Sequence, residues 1–398
     1  MSEQPPVRPN PAPTTDRNLA APEPDPAPVI DPNLPPTDEF EEMPRVPITR
    51  KRALLFGIFV VSAVAFLYFV LPQISGVSKT WHRIRQGDPW WLAVCLAFEC
   101  VSFAGYVWLF RTVFVRGRSR IGWKESYQIT MAGLAATRLF AAGGAGGIAL
   151  TAWALRRSGM ERRLVACRMI GFMCLLYTVY MGSLVFVGLG LYSGVFRGSA
   201  PFALTVVPAL FGAFAIVVFL LVSLLPHDVE HQLERWALGS SRVARWMARA
   251  VTIPASAAAG VRTALSLVRD GEAGVLGAVM WWGFDIATLW ASFHAFGSNP
   301  PPFAIIVMAY FVGMLGNTLP LPGGVGGVDG GMIGAFAAFD VQFGYATVAV
   351  LVYRGFAFWL PTIPGAAAYL QLRKTVSRWR EERARERAAR AGAEPVGA

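Results

Sequence analysis

Six ionisable side chains fall within, or at the ends of, stretches that otherwise carry almost no charge: Glu99, Arg138, Arg168, Asp285, Asp329 and Arg354. An ionised carboxylate near the middle of an apolar helix in hydrocarbon costs at least about 2.5–3.5 kcal/mol, so Glu99 and Asp285 require compensation. Arginine supplies it, and its planar fork of donors also matches phosphate or carboxylate oxygens. The expected arrangement is a network of acids and arginines lining a path for a polar, phosphate-bearing head group. The competing reading is a set of buried bridges that lock broken helices together, and Arg168, close to the start of its span, also suits snorkelling toward the interface.

No other constellation nominates a catalyst. His227-Asp-Val-Glu-His231 has the H-x-x-E-H spacing at which two helical histidines bind zinc beside a general base. It directly follows Pro226 at a span end, and the acids between it and Asp285 are only Glu234, Asp270 and Glu272, so an interfacial polar turn is expected. No lysine lies between Lys124 and Lys374, which excludes a phosphate-binding Walker A loop, and no G-x-S-x-G nucleophile elbow is present. Cys95, Cys100, Cys167 and Cys174 sit in or beside apolar segments and read as small packing residues. The expectation is no catalytic residue, no metal, no cofactor and no enzymatic activity.

The elements that hold the six charges must be membrane helices. Only 15% of the 398 residues are Asp, Glu, Lys or Arg and 54% are hydrophobic, whereas soluble domains are about one quarter charged. Apolar runs long enough to cross about 30 Å of hydrocarbon recur, with spans expected at 53–72, 90–112, 164–192, 202–225, 273–297 and 345–371. Two further regions, 125–155 and 303–340, are apolar but interrupted by glycine. The net charge of +11 resides largely in short basic loops beside the spans, as the positive-inside bias requires, so nucleic acid is not an expected partner.

Those interruptions are alike. Ala142-Gly-Gly-Ala-Gly-Gly147 and Pro322-Gly-Gly-Val-Gly-Gly327 lie 180 residues apart, which makes Gly143, Gly144, Gly146, Gly147, Pro322, Gly323, Gly324, Gly326 and Gly327 candidate re-entrant glycine loops. Each is preceded by a span with one acid (Glu99, Asp285) and followed by a span with one arginine (Arg168, Arg354). Basic residues flank the first broken region and none flank the second, so the two should dip in from opposite faces, an inverted-topology repeat. The fold class expected is an all-α integral membrane protein, a polytopic helical bundle with two re-entrant broken-helix regions. Half-helices resuming after each loop would point their N-termini, and unpaired N–H groups, at the membrane middle, where an anion fits.

Outside the bundle, residues 1–50 hold 14 of the 28 prolines and form a disordered cytoplasmic leader. Residues 51–373 form the membrane domain, and 374–398 a basic cytoplasmic tail lying on or near an anionic leaflet. Between Asp228 and Asp270, apolar residues at three- and four-residue spacing among arginines read as interfacial amphipathic helices. Six crossings place both termini in the cytoplasm and the protein in the plasma membrane.

Leu319-Pro-Leu-Pro-Gly-Gly-Val-Gly-Gly-Val-Asp329, with Tyr353-Arg-Gly-Phe-Ala-Phe-Trp-Leu-Pro361 after it, resembles the signature of the lysylphosphatidylglycerol synthase transmembrane family, also called flippase-like. The resemblance extends over about residues 50–372. Pro322, Gly323, Gly324, Gly326, Asp329 and Arg354 match its pattern, although Asp329 stands where the family usually has Glu. It implies movement of a charged or aminoacylated phospholipid between leaflets. It also implies that lysyl transfer needs a separate soluble domain, so this chain alone should not make lysyl-lipid. Two other roles stay open: an accessory subunit of a separate lipid synthase or glycosyltransferase, and an intramembrane zinc hydrolase.

Overall fold

The computed structural model describes residues 87–115, 120–139, 145–224, 257–297, 299–318, 324 and 326–393. The leader, the expected span at 53–72, most of the interfacial stretch with His227 and His231, and Gly143, Gly144, Pro322 and Gly323 lie outside them. Apolar sequence in hydrocarbon must satisfy every backbone amide internally, and the described residues do so with helices. These are α1 (Pro89–Phe114), α2 (Trp123–Leu139), α3 (Ala145–Arg157), α4 (Arg162–Tyr192), α5 (Phe202–Ser223), α6 (257–269), α7 (Leu276–Phe296), α8 (Phe303–Met314), α9 (Gly327–Ala338), α10 (Phe343–Arg354) and α11 (Thr362–Ala393). There is no strand among the described residues.

Five stretches are long and apolar enough to cross a membrane: Pro89–Phe114, Arg162–Tyr192, Phe202–Ser223, Ala273–Phe296 and Phe343–Glu386. They coincide with the last five expected spans, and the protein is an all-α, multi-pass membrane protein. The apolar outer face of α5 agrees with a lipid solvent. That helix buries only Thr205, Pro208, Ala209 and Gly212 and turns Leu210, Phe214 and Leu221 outward, a patch that water would penalise.

Two helices form the spine. α1 starts at Asp88, whose carboxylate accepts the Trp90 amide at 2.9 Å while Pro89 occupies the first helical position, where its missing N–H is harmless. From there α1 runs antiparallel to α7. The Asp88 amide donates to the Ala295 carbonyl (3.0 Å), the Cys95 thiol to Thr288 O (3.5 Å) and the Ser102 hydroxyl to Trp281 O (2.9 Å). These rungs advance seven residues on one helix and retreat seven on the other, the spacing that keeps one seam of each helix facing its partner. At Gly105 and Gly277 the backbones touch so closely that a Cβ on Gly277 would collide with Gly105 O. Small residues permit such approach in a membrane, where packing rather than water drives association.

A helical hairpin hangs from each end of this pair. α2 and α3 follow α1, and their contacts run antiparallel: Gly133 meets Thr151, and Gly147 meets Thr137. α8 and α9 follow α7 in the same manner, with Gly313 against Gly331 and Gly316 against Gly327. The 180-residue offset that relates the glycine motifs also takes Gly133 to Gly313 and Gly147 to Gly327, each on a tight crossing. Because α1 and α7 are antiparallel, the hairpins open at opposite ends of the spine. Gly146, Gly147 and Gly327 lie inside the first turns of α3 and α9 rather than in the turns between helices. Their role is close packing. Among the described residues of the second motif, Gly324 (φ 66) and Gly326 (φ 84) have positive φ, where any side chain would be strained.

The tail differs from the surface-lying helix expected for it. α11 runs unbroken from Thr362 to Ala393, so span and basic tail are one rod, antiparallel to α2. Gly365 packs on Met131 and Ala135, Thr375 donates to Gln128 Oε1 at 2.8 Å, and Arg120 pairs with Glu386 at 2.6 Å. The Glu386 side chain is more than half exposed. Replacing Arg120 with alanine should therefore change stability by no more than about 1 kcal/mol, read as an almost unmoved thermal midpoint in detergent.

Candidate functional site

Distance along the helices sets the depth of the charges. Glu99 is eleven residues from Asp88, Asp285 ten from Ala295 and Arg354 eleven from Phe343, all counted from the same end of the spine. At 1.5 Å per residue each sits about 15–17 Å along its helix from that end, a distance equal to half of a hydrocarbon layer about 30 Å thick. The second hairpin and the end of α2 converge on this level.

Asp285 is buried in the α7 seam. Its Oδ2 accepts two phenolic hydroxyls, from Tyr310 on α8 and from Tyr353 on α10, the latter at 3.0 Å. Thr288, one turn along α7, donates to Glu99 Oε2 at 3.3 Å. The Cys95–Thr288 and Ser102–Trp281 rungs thus place Glu99 and Asp285 side by side on one face between α1 and α7, both buried.

Asp329 and Arg354 form an ion pair of 2.6 Å from Nε to Oδ1. Asp329 is the third residue of α9, and its Oδ2 accepts the Gly326 amide at 2.9 Å. An acid at this position satisfies an orphan donor and complements the positive end of the helix. The N-terminus of the second half-helix is therefore occupied by a carboxylate of the chain itself. An incoming anion must compete with Asp329 both for those amides and for Arg354.

Immediately after Arg354 the α-helix widens into one π-turn over Gly355–Trp359, a departure found often at functional sites. This turn presents the Ala357 carbonyl, which accepts Arg138 Nη2 at 2.8 Å. It also sets the Phe358 ring between two guanidinium groups, 5.5 Å from Arg138 and 4.5 Å from Arg354. The first hairpin is thereby tied to the helix that carries the other arginine. Arg138 Nη1 is buried and has no hydrogen-bond acceptor among the described residues.

Five of the six charges thus meet, and one does not. Arg168, buried near the start of α4, donates from Nη1 to the Phe114 carbonyl at 3.0 Å, at the C-terminal end of α1. It caps a helix end rather than joining the midplane group. Arg168→Gln should lower stability by about 1–3 kcal/mol, seen in thermal unfolding, while leaving any transport per folded molecule near wild type. Tyr310, Thr288 and Tyr353 belong to the site but were not chosen from the sequence. The signal available was a tyrosine in an uninterrupted apolar helix, since a buried hydroxyl in hydrocarbon needs a partner. No group of three or more metal-ligating side chains occurs among the described residues.

The glycine-rich turn, the acid at the head of α9 and the arginine paired to it fall within a stretch, residues 54–365, that matches the model of the lysylphosphatidylglycerol synthase TM region. The chain belongs to this family. A UPF0104 membrane protein of Methanothermobacter thermautotrophicus is similar to it along most of both chains, 22% identical over 343 residues, 82% of this chain and 97% of the relative. Another match of the same name and organism is 31% identical over 119 residues, covering 30% of this chain and about a third (34%) of the relative's length. The lysylphosphatidylglycerol synthase transmembrane fold is thus the frame in which the buried charges are held.

Proposed function

We propose that the protein is a lipid flippase or transporter that moves a phospholipid, or another lipid phosphate, between leaflets of the plasma membrane. The observation that carries this reading is Arg138: a buried guanidinium nitrogen with no acceptor among the described residues, beside a second guanidinium at the same phenylalanine ring. A phosphate diester offers oxygens to both, accepting from Arg138 Nη1 and displacing Asp329 from Arg354. Glu99, Asp285 and Asp329 act as counter-charges when the path is empty and hold the cationic part of an aminoacylated head group when one is present. The membrane phospholipid is then the partner, and the two hairpins are re-entrant elements of an inverted repeat around the path, with both chain termini in the cytoplasm.

The direct test is leaflet-resolved transfer of labelled phosphatidylglycerol in proteoliposomes containing the full chain. Facilitated transfer is expected. Equal rates in protein-free and protein-containing vesicles, across anionic and aminoacylated lipids, would remove the transport reading and leave the accessory role. Cysteines placed at residues 144 and 324 should react with membrane-impermeant reagents from opposite sides of the vesicle, and labelling from one side alone would sink the inverted arrangement.

A further inference from the structure

We infer that Glu99 and Asp285 hold one exchangeable proton between them, and that gain and loss of this proton is coupled to head-group passage; the second clause rests on the transport reading above. Two ionised carboxylates are acceptors only, so side by side in a buried seam they can share a hydrogen bond only if one of them carries a proton. Charge counting leads to the same state. Among the described residues, three carboxyl groups (Glu99, Asp285 and Asp329) share this level with two guanidinium groups (Arg138 and Arg354), so one proton on the acids balances the group. Like charges side by side, out of water, do not both ionise readily.

Arg138 gives an independent indication. If both acids were ionised, that guanidinium would be drawn onto them; instead Nη2 donates to the neutral Ala357 carbonyl and Nη1 to nothing described. The other charge that acts on Asp285 is Arg354 of α10, which also pairs with Asp329 of α9; the remaining groups turned toward the pair offer hydroxyl or thiol hydrogens. Tyr310 of α8 and Tyr353 of α10 donate to Asp285 Oδ2, Thr288 of α7 donates to Glu99, and the Cys95 thiol of α1 donates to Thr288 O. On α4, the Tyr180 hydroxyl is turned to the Phe311 carbonyl at 2.6 Å.

Arrival of an anionic phosphate at Arg138 adds a second negative charge beside the singly protonated, singly charged pair. A second proton then binds, forming one O–H bond at a carboxylate oxygen, and leaves again when the head group departs. No electrons move. The lipid and the proton therefore travel together.

Two measurements decide this. In nanodiscs at neutral pH, infrared spectra of the wild-type chain should contain a protonated-carboxyl C=O band that is lost in Glu99→Gln and in Asp285→Asn but kept in Asp329→Asn. A wild-type spectrum with no such band, which requires no variant to fold, overturns the shared proton, as does a band surviving both substitutions. In proteoliposomes, a gradient of one pH unit should shift the leaflet distribution of labelled phosphatidylglycerol about tenfold for one-to-one coupling. Facilitated transfer that ignores the gradient overturns the coupling and spares the transport reading; absence of any transfer overturns both coupling and transport, while the infrared band still decides the proton.

Discussion

Arg354→Ala is expected to abolish facilitated lipid transfer in proteoliposomes while the protein still inserts as a helical bundle. The substitution removes the partner of Asp329 and leaves that carboxylate at the head of α9 with only the Gly326 amide on Oδ2. Breaking one member of a buried ion pair costs up to about 3–5 kcal/mol, so a lower thermal midpoint should accompany the lost activity. Asp329→Asn in the same background separates the two effects. Removing the stranded charge should restore much of the stability, because a neutral amide can remain at the helix start, but should not restore transfer. Activity rescued together with stability would show that the pair is a structural lock. Transfer by Arg354→Ala at the wild-type rate would exclude the arginine from the path.

Gly277→Ala should be the most destabilising single methyl in the spine. Its Cβ would collide with Gly105 O and approach Leu109 N at 2.8 Å, both backbone atoms that no rotamer change can move aside. Relief requires α1 and α7 to separate, and overpacking of this kind costs about 1–3 kcal/mol or more. The same separation pulls Glu99 from Thr288 and from Asp285, so the infrared band of the shared proton should weaken along with the thermal midpoint. Gly283→Ala on the same helix has open space around its Cβ and serves as the control; it should change neither. Equal effects of the two substitutions would mean that helix propensity, rather than the Gly105–Gly277 crossing, governs this region.

Composition and local pattern were enough to read the solvent, the last five spans and the family. Charge is so scarce, and apolar runs so long, that only helices in a bilayer satisfy the chain, and span limits read from hydropathy agree with α1, α4, α5 and α7 to within a few residues. The glycine motifs were legible because two such runs at one spacing are rare, but that Gly146, Gly147 and Gly327 would lie inside helices at close crossings was not. The charged residues were legible by exclusion, since hydrocarbon tolerates so few. Their pairing was not. Arg168 and Arg138 have the same chemistry and similar settings in sequence, yet one caps α1 and the other reaches the centre, because that difference depends on how the first hairpin packs against the π-turn after Arg354. Nor does spacing disclose that Asp329 fills the end of its own helix, or that Tyr310, from a helix with no charge at all, completes the Asp285 site. Burial and periodicity are properties of single segments and survive in the sequence; which oxygen faces which nitrogen across five helices is set by their mutual packing, and only the tertiary structure decides it.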